Sequence, residues 1–97
     1  MTIQNIKKQI VPILKRQGII KAALFGSCVR NEMNKKSDID ILIKFSGKKS
    51  LLDLVKIQFI LEDKLGKKVD LLTYNSIHPL LKNIILNEQK IIYEKKP

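Results

Sequence analysis

This chain predicts a small α/β (α+β) fold, a mixed β-sheet flanked by helices, and three observations predict it. Apolar residues recur at helical spacing in three stretches. Short runs rich in Ile, Leu and Val lie between those stretches, and Gly or polar turns separate the two kinds. Alternating strands and helices bury their apolar sides best as a sheet with helices packed on it. With 97 residues, a single domain over 1–97 is expected.

The elements follow in order. Residues 2–17 place Ile3, Ile6, Ile10, Ile13 and Leu14 on one side of a helix. Pro12 is expected to bend or interrupt it, and Gly18 to stop it. Residues 19–25 read as a first strand, Gly26 as a tight turn, and Ser27 as the start of a short helix. Residues 31–36 are polar and form a loop. Residues 38–45 are the second strand. After the turn Gly47-Lys48-Lys49-Ser50, Ser50 is placed to cap a helix, with Asp53 three positions on. That helix covers 51–65, with Leu51, Leu54, Val55, Phe59, Leu61 and Leu65 as its apolar positions, and ends at Gly66. Residues 68–74 form a third strand. A helix over 77–88 directs Ile77, Leu80, Leu81, Ile84 and Ile85 to the core, while Leu86 lies off that face as a possible docking position. Ile91-Ile92-Tyr93 reads as a short last strand.

Composition narrows the function classes. No apolar stretch reaches the roughly 20 residues of a membrane span, and no apolar segment follows the N-terminal lysines as in a signal peptide. The single cysteine, Cys28, cannot form an internal disulfide. A soluble, cytoplasmic protein is expected. The net charge is +10, from nineteen basic against nine acidic residues. Such a surface favours nucleotides, nucleic acid or an acidic protein face, although a lysine-rich coat also serves solubility. Three Phe and two Tyr are too few for a base-stacking platform.

Against that basic background, the acids are informative. Asp38 and Asp40 sit one residue apart in the run Ser37-Asp38-Ile39-Asp40-Ile41-Leu42-Ile43, and Asp70 sits in Val69-Asp70-Leu71-Leu72. Strands disfavour Asp, yet three of the nine acids fall in them. Residues i and i+2 of a strand share a face, with Cα atoms about 6.5–7 Å apart. Two carboxylates there repel each other and lose hydration unless a hard cation such as Mg²⁺ neutralises them. In two-metal sites the ions lie about 3.5–4 Å apart, within reach of such a pair. The Gly26-Ser27 turn adds backbone N–H groups that suit a phosphate, with no Cβ at Gly26 to hold it off. Arg30 offers a fork-shaped donor for phosphate, or a salt bridge to Glu32 or to a strand aspartate. Cys28 reads as a packing residue, His78 as a capping or surface residue, and Lys67 and Lys68 as edge-strand charges or phosphate attractors.

Leu24-Phe25-Gly26-Ser27, ten intervening residues, then Asp38-Ile39-Asp40 resembles the signature of the DNA polymerase β-like nucleotidyltransferase superfamily. The short length, Arg30 three residues after Ser27, and the run from Ser37 to Ile43 resemble its minimal nucleotidyltransferase (MNT) branch. The resemblance covers about residues 5–93. It implies that Asp38 and Asp40 hold two Mg²⁺ ions. It also implies that Asp70 helps hold the catalytic metal and activates the attacking hydroxyl. Gly26 and Ser27 would cradle the β,γ-phosphates of ATP, assisted by Arg30. MNT proteins are often paired with a HEPN-type RNase toxin, which they neutralise by transferring AMP to a tyrosine hydroxyl. The chain departs from the usual phrase at Cys28, where relatives often carry an aromatic, and at Asn31, where they often carry Gly. Two rival readings stand beside this one: an antitoxin that acts by stoichiometric docking, and a nucleic-acid-directed nucleotidyltransferase. A homo-oligomer is compatible with all three.

Overall fold

A computed structural model describes residues 2–30 and 38–95. The first helix, α1 (Ile3–Arg16), starts at Thr2, whose hydroxyl accepts the Asn5 N–H at 3.2 Å. It buries Ile6, Ile10, Ile13 and Leu14. Pro12 neither stops nor splits it: the ring lies on the exposed side, where water can satisfy the carbonyl that loses its N–H partner. Strands β1 (Ile19–Phe25) and β2 (Ile39–Phe45) pair antiparallel. The second helix, α2 (Leu51–Leu65), opens with a Ser50–Asp53 capping box and closes on Gly66 at φ +67°. It carries the chain over to β3 (Val69–Thr73), which lies parallel to β2. Parallel neighbours need such a crossover, and an amphipathic helix covers the sheet while making it. A short helix, α3 (Lys82–Glu88), and β4 (Lys90–Glu94), antiparallel to β1, complete the sheet in the order β3-β2-β1-β4. Among the described residues no helix is long and apolar enough to cross a membrane.

Alternation along the strands sends side chains to two faces. Ala22, Leu24, Ile39, Ile41, Ile43, Val69 and Leu71 meet α1 and α2 in the main core. Ala23, Phe25 and Leu42 meet Ile77 and Ile85 in a smaller cluster on the other face.

Two expectations are corrected and one is refined. The short helix expected from Ser27 is a single 3₁₀ turn that starts one residue earlier, Gly26–Cys28. The last helix begins at Lys82, not at residue 77. His78 accepts the Leu80 N–H on Nδ1 and ties residues 78–80 into a separate turn, so Ile77 and Ile85 reach the core while Leu80, Leu81 and Ile84 face solvent. In α2 the buried stripe is Ile57, Leu61 and Leu65; Leu51 and Phe59 are 80% and 63% exposed, and Val55 is exposed as well. A helix with apolar residues on most sides offers competing stripes, and spacing alone does not say which one meets the sheet.

Candidate active site

The open face of the sheet carries the three aspartates. Asp40 lies in β2 between two register partners, Phe25 on β1 and Asp70 on β3. Residues side by side on parallel strands project to the same side, about 4.8 Å apart. Asp38 stands two residues before Asp40, at the mouth of the strand. Asp38 and Asp70 are exposed, and Asp40 is half-buried. The Asp40 carboxyl is pushed up to about 6, first by burial and then by the charges of Asp70 and Asp38; Arg30 pulls it back down, and Glu88 adds a smaller push. Such a group is stabilised as an anion by an added cation. The donors are all carboxylate oxygens, the kind a hard cation selects. As the side chains stand, no group of three Asp, Glu, His or Cys among the described residues is arranged to hold a metal ion.

Gly26 links the turn to these acids. Its φ of +73° favours glycine, and a Cβ there would collide with Asp40 Oδ2 and stand 3.1 Å from Asp40 Cγ. The turn is closed by Val29 and Arg30, whose N–H groups both donate to the Gly26 carbonyl at 3.1 and 3.2 Å. Ser27 is half-buried at its tip. Cys28 packs into the main core and donates its thiol to the Phe25 carbonyl at 3.2 Å. Burial, followed by the Asp40 charge, raises the Cys28 thiol above its ordinary value, so it stays protonated and packs as expected. His78 is exposed in its capping turn, also as expected.

Glu88, at the end of α3, is the residue that sequence reasoning missed. Its Oε1 accepts the Gly26 N–H at 2.9 Å. Arg30 Nη1 lies 2.9 Å from its Oε2 and 3.2 Å from its Oε1. Arg30 therefore pairs with an acid 58 residues downstream. The alternative partner Glu32 and the loop over 31–36 lie outside the described residues. Nothing local marks Glu88; its only signal is an acid at the end of a helix that leads into the last strand.

The other end of the open face has the opposite sign. Lys21 and Lys44 are register partners on β1 and β2. With Lys48, Lys49 and Tyr74 they line a cavity of about 570 Å³ to which none of the three aspartates contributes. Lys21 Nζ lies 5.0 Å from the centre of the Tyr74 ring, and the Tyr74 hydroxyl donates to Gln89 Oε1 at 2.7 Å.

Comparison with known proteins gives a consistent picture. Residues 8–97 match the family model described as polymerase beta, nucleotidyltransferase. A Methanocaldococcus jannaschii protein named as a protein adenylyltransferase is 59% identical over 88 residues, covering 91% of this chain and 95% of that one. The protein adenylyltransferase MntA of Thermococcus cleftensis is 36% identical over 74 residues, covering 76% of this chain and 75% of the other. Among solved structures, a minimal nucleotidyltransferase superposes with a TM-score of 0.79 at 28% identity, covering 93% of this chain and 95% of that one. A toxin–antitoxin structure with AMP-PNP superposes with a TM-score of 0.82 at 21% identity, covering 93% of this chain and 74% of the other, and at that identity the likeness speaks for the fold.

Proposed function

The chain belongs to the polymerase β nucleotidyltransferase family and is a nucleotidyltransferase, and from that premise we propose that it transfers AMP from ATP to a tyrosine hydroxyl of a HEPN-type partner, as the antitoxin of the pair. The observation that carries the reading is the register pairing of Asp40 with Asp70 on one sheet face, beside a glycine turn that touches the Asp40 carboxylate. Relatives named as protein adenylyltransferases, at 36% and 59% identity, support the nucleotide and the protein acceptor.

Asp38, Asp40 and Asp70 would hold Mg²⁺. The metal supplies neutralisation of the triphosphate and of the departing pyrophosphate. The Gly26–Cys28 turn and Arg30 orient the phosphates from the adjacent side. The acceptor oxygen forms a bond to the α-phosphorus, the bond from that phosphorus to pyrophosphate breaks, and the hydroxyl proton passes to the Asp70 carboxylate. Gly26 keeps the turn close to Asp40, and the packed core behind β2 holds that carboxylate in place.

The test is incubation of the chain with its native partner and MgATP, read by intact mass. An added AMP on the partner is expected, and Asp40→Asn is expected to lower its rate at least ~100-fold. The exposed apolar side chains of α2 and of residues 80–84 favour the rival docking reading. That rival prevails if the partner gains no AMP and the Asp40→Asn chain still neutralises it.

A further inference from the structure

Gly26 and Arg30 precede Glu88 by 62 and 58 residues, yet its carboxylate joins the two of them. The Glu88 side chain is 20% exposed and that of Arg30 47%, so the bond to the Gly26 N–H is partly shielded from water while the pair with Arg30 meets solvent on the guanidinium side. Two consequences follow from the geometry. The turn cannot swing away from the end of α3 without breaking the bond between the Gly26 N–H and Glu88. Arg30 Nη1 donates to both Glu88 oxygens, which restricts a long side chain that otherwise samples many rotamers. Preorganising donors before an anion arrives avoids the ordering cost at the moment of binding.

We propose that Glu88 is the positioning residue of the triphosphate site: it pins the Gly26–Cys28 turn to the end of α3 and aims Arg30 at the phosphates. This rests on the reading of that turn and Arg30 as the phosphate cradle. The C-terminal segment α3–β4 is thereby part of the site although it carries none of the aspartates. The Gly26 N–H serves the scaffold, and the phosphate contacts fall to the rest of the turn and to Arg30.

The experiment measures MgATP binding by calorimetry, and KM and kcat for AMP transfer, in the wild-type chain, Glu88→Ala, Glu88→Gln, Arg30→Ala and the Glu88→Ala/Arg30→Ala double variant. Glu88→Ala is expected to weaken MgATP binding about tenfold, with KM changed more than kcat. Glu88→Gln retains an acceptor for Gly26 but loses the charge facing Arg30, and its loss should be smaller. In the Arg30→Ala background the Glu88→Ala change should cost clearly less than in the wild-type chain, because the part of its effect that runs through the arginine is already lost and only the anchoring of the turn remains. Additive losses would mean a merely structural role and overturn the proposal. Tighter binding in either Glu88 variant would overturn it too, since the carboxylate would then be occupying the phosphate's place. If Glu88→Ala does not fold, Glu88→Gln decides, and a wild-type KM in that variant sinks the idea. A wild-type chain that binds no MgATP would instead refute the underlying function.

Discussion

The two faces of the sheet are built from alternate residues of the same strands, yet they end in opposite chemistry. On the covered face, Ile39, Ile41 and Ile43 of β2 lie under α1 and α2, each fully buried. On the open face, the alternate residues are Asp40 and Leu42, which lie between them, and Lys44, which follows Ile43. Leu42 alone of these is fully buried, in the small cluster with Phe25, Ile77 and Ile85. Asp40 and Lys44 occupy the two ends, so this face is acidic at the aspartates and basic at the lysine-lined cavity. One face holds the fold together; the other uses the rigidity this provides to keep like charges close, which no stability argument would favour.

The comparison can be broken first on the covered face. Leu61→Ala removes a fully buried side chain beneath the sheet and is expected to cost ~2–5 kcal/mol by urea unfolding, whereas Phe59→Ala, two positions away and exposed, should shift stability by no more than ~0.5 kcal/mol. Equal losses would show that the second apolar stripe of α2 is also buried in solution, as in a stable oligomer.

A smaller effect is expected where the faces meet the turn. Gly26→Ala places a Cβ at positive φ and against the Asp40 carboxylate, so a loss of ~1–3 kcal/mol is expected, accompanied by loss of AMP transfer. An active, fully stable Gly26→Ala chain would mean that the turn and Asp40 are not in contact.

The smallest effect comes from the charge held on the open face. The Asp40 carboxyl rises from 3.8 to about 6 in the folded chain. Below pH 3.8 both folded and unfolded chains carry the proton, and folding loses nothing. Between 3.8 and about 6 the folded chain keeps a proton that the unfolded chain has released, so stability falls as pH rises and levels off above 6. Asp40 is partly solvated, so the loss is of order 1 kcal/mol after screening. Comparing urea midpoints of wild type and Asp40→Asn at pH 4 and pH 7 isolates it, and Asp40→Asn should be the more stable chain at pH 7. A difference independent of pH would remove the case for a strained carboxylate.

What the sequence determined by itself was the local chemistry. Short runs rich in Ile, Leu and Val marked the strands and helical spacing marked the long helices, the Ser50–Asp53 box and Gly66 marked the limits of α2, and Asp38, Asp40 and Asp70 stood out as acids in apolar strands. Those signals are local because each lies within a few residues and follows from backbone geometry alone. Tertiary structure decided what depends on contacts across the chain. It set Asp70 beside Asp40 through the parallel register, chose Ile57, Leu61 and Leu65 as the buried stripe of α2, and turned Leu80, Leu81 and Ile84 outward. It also brought Glu88 to Gly26 and Arg30. A carboxylate's partner is fixed by where two distant segments pack, and neither segment's own residues encode that meeting.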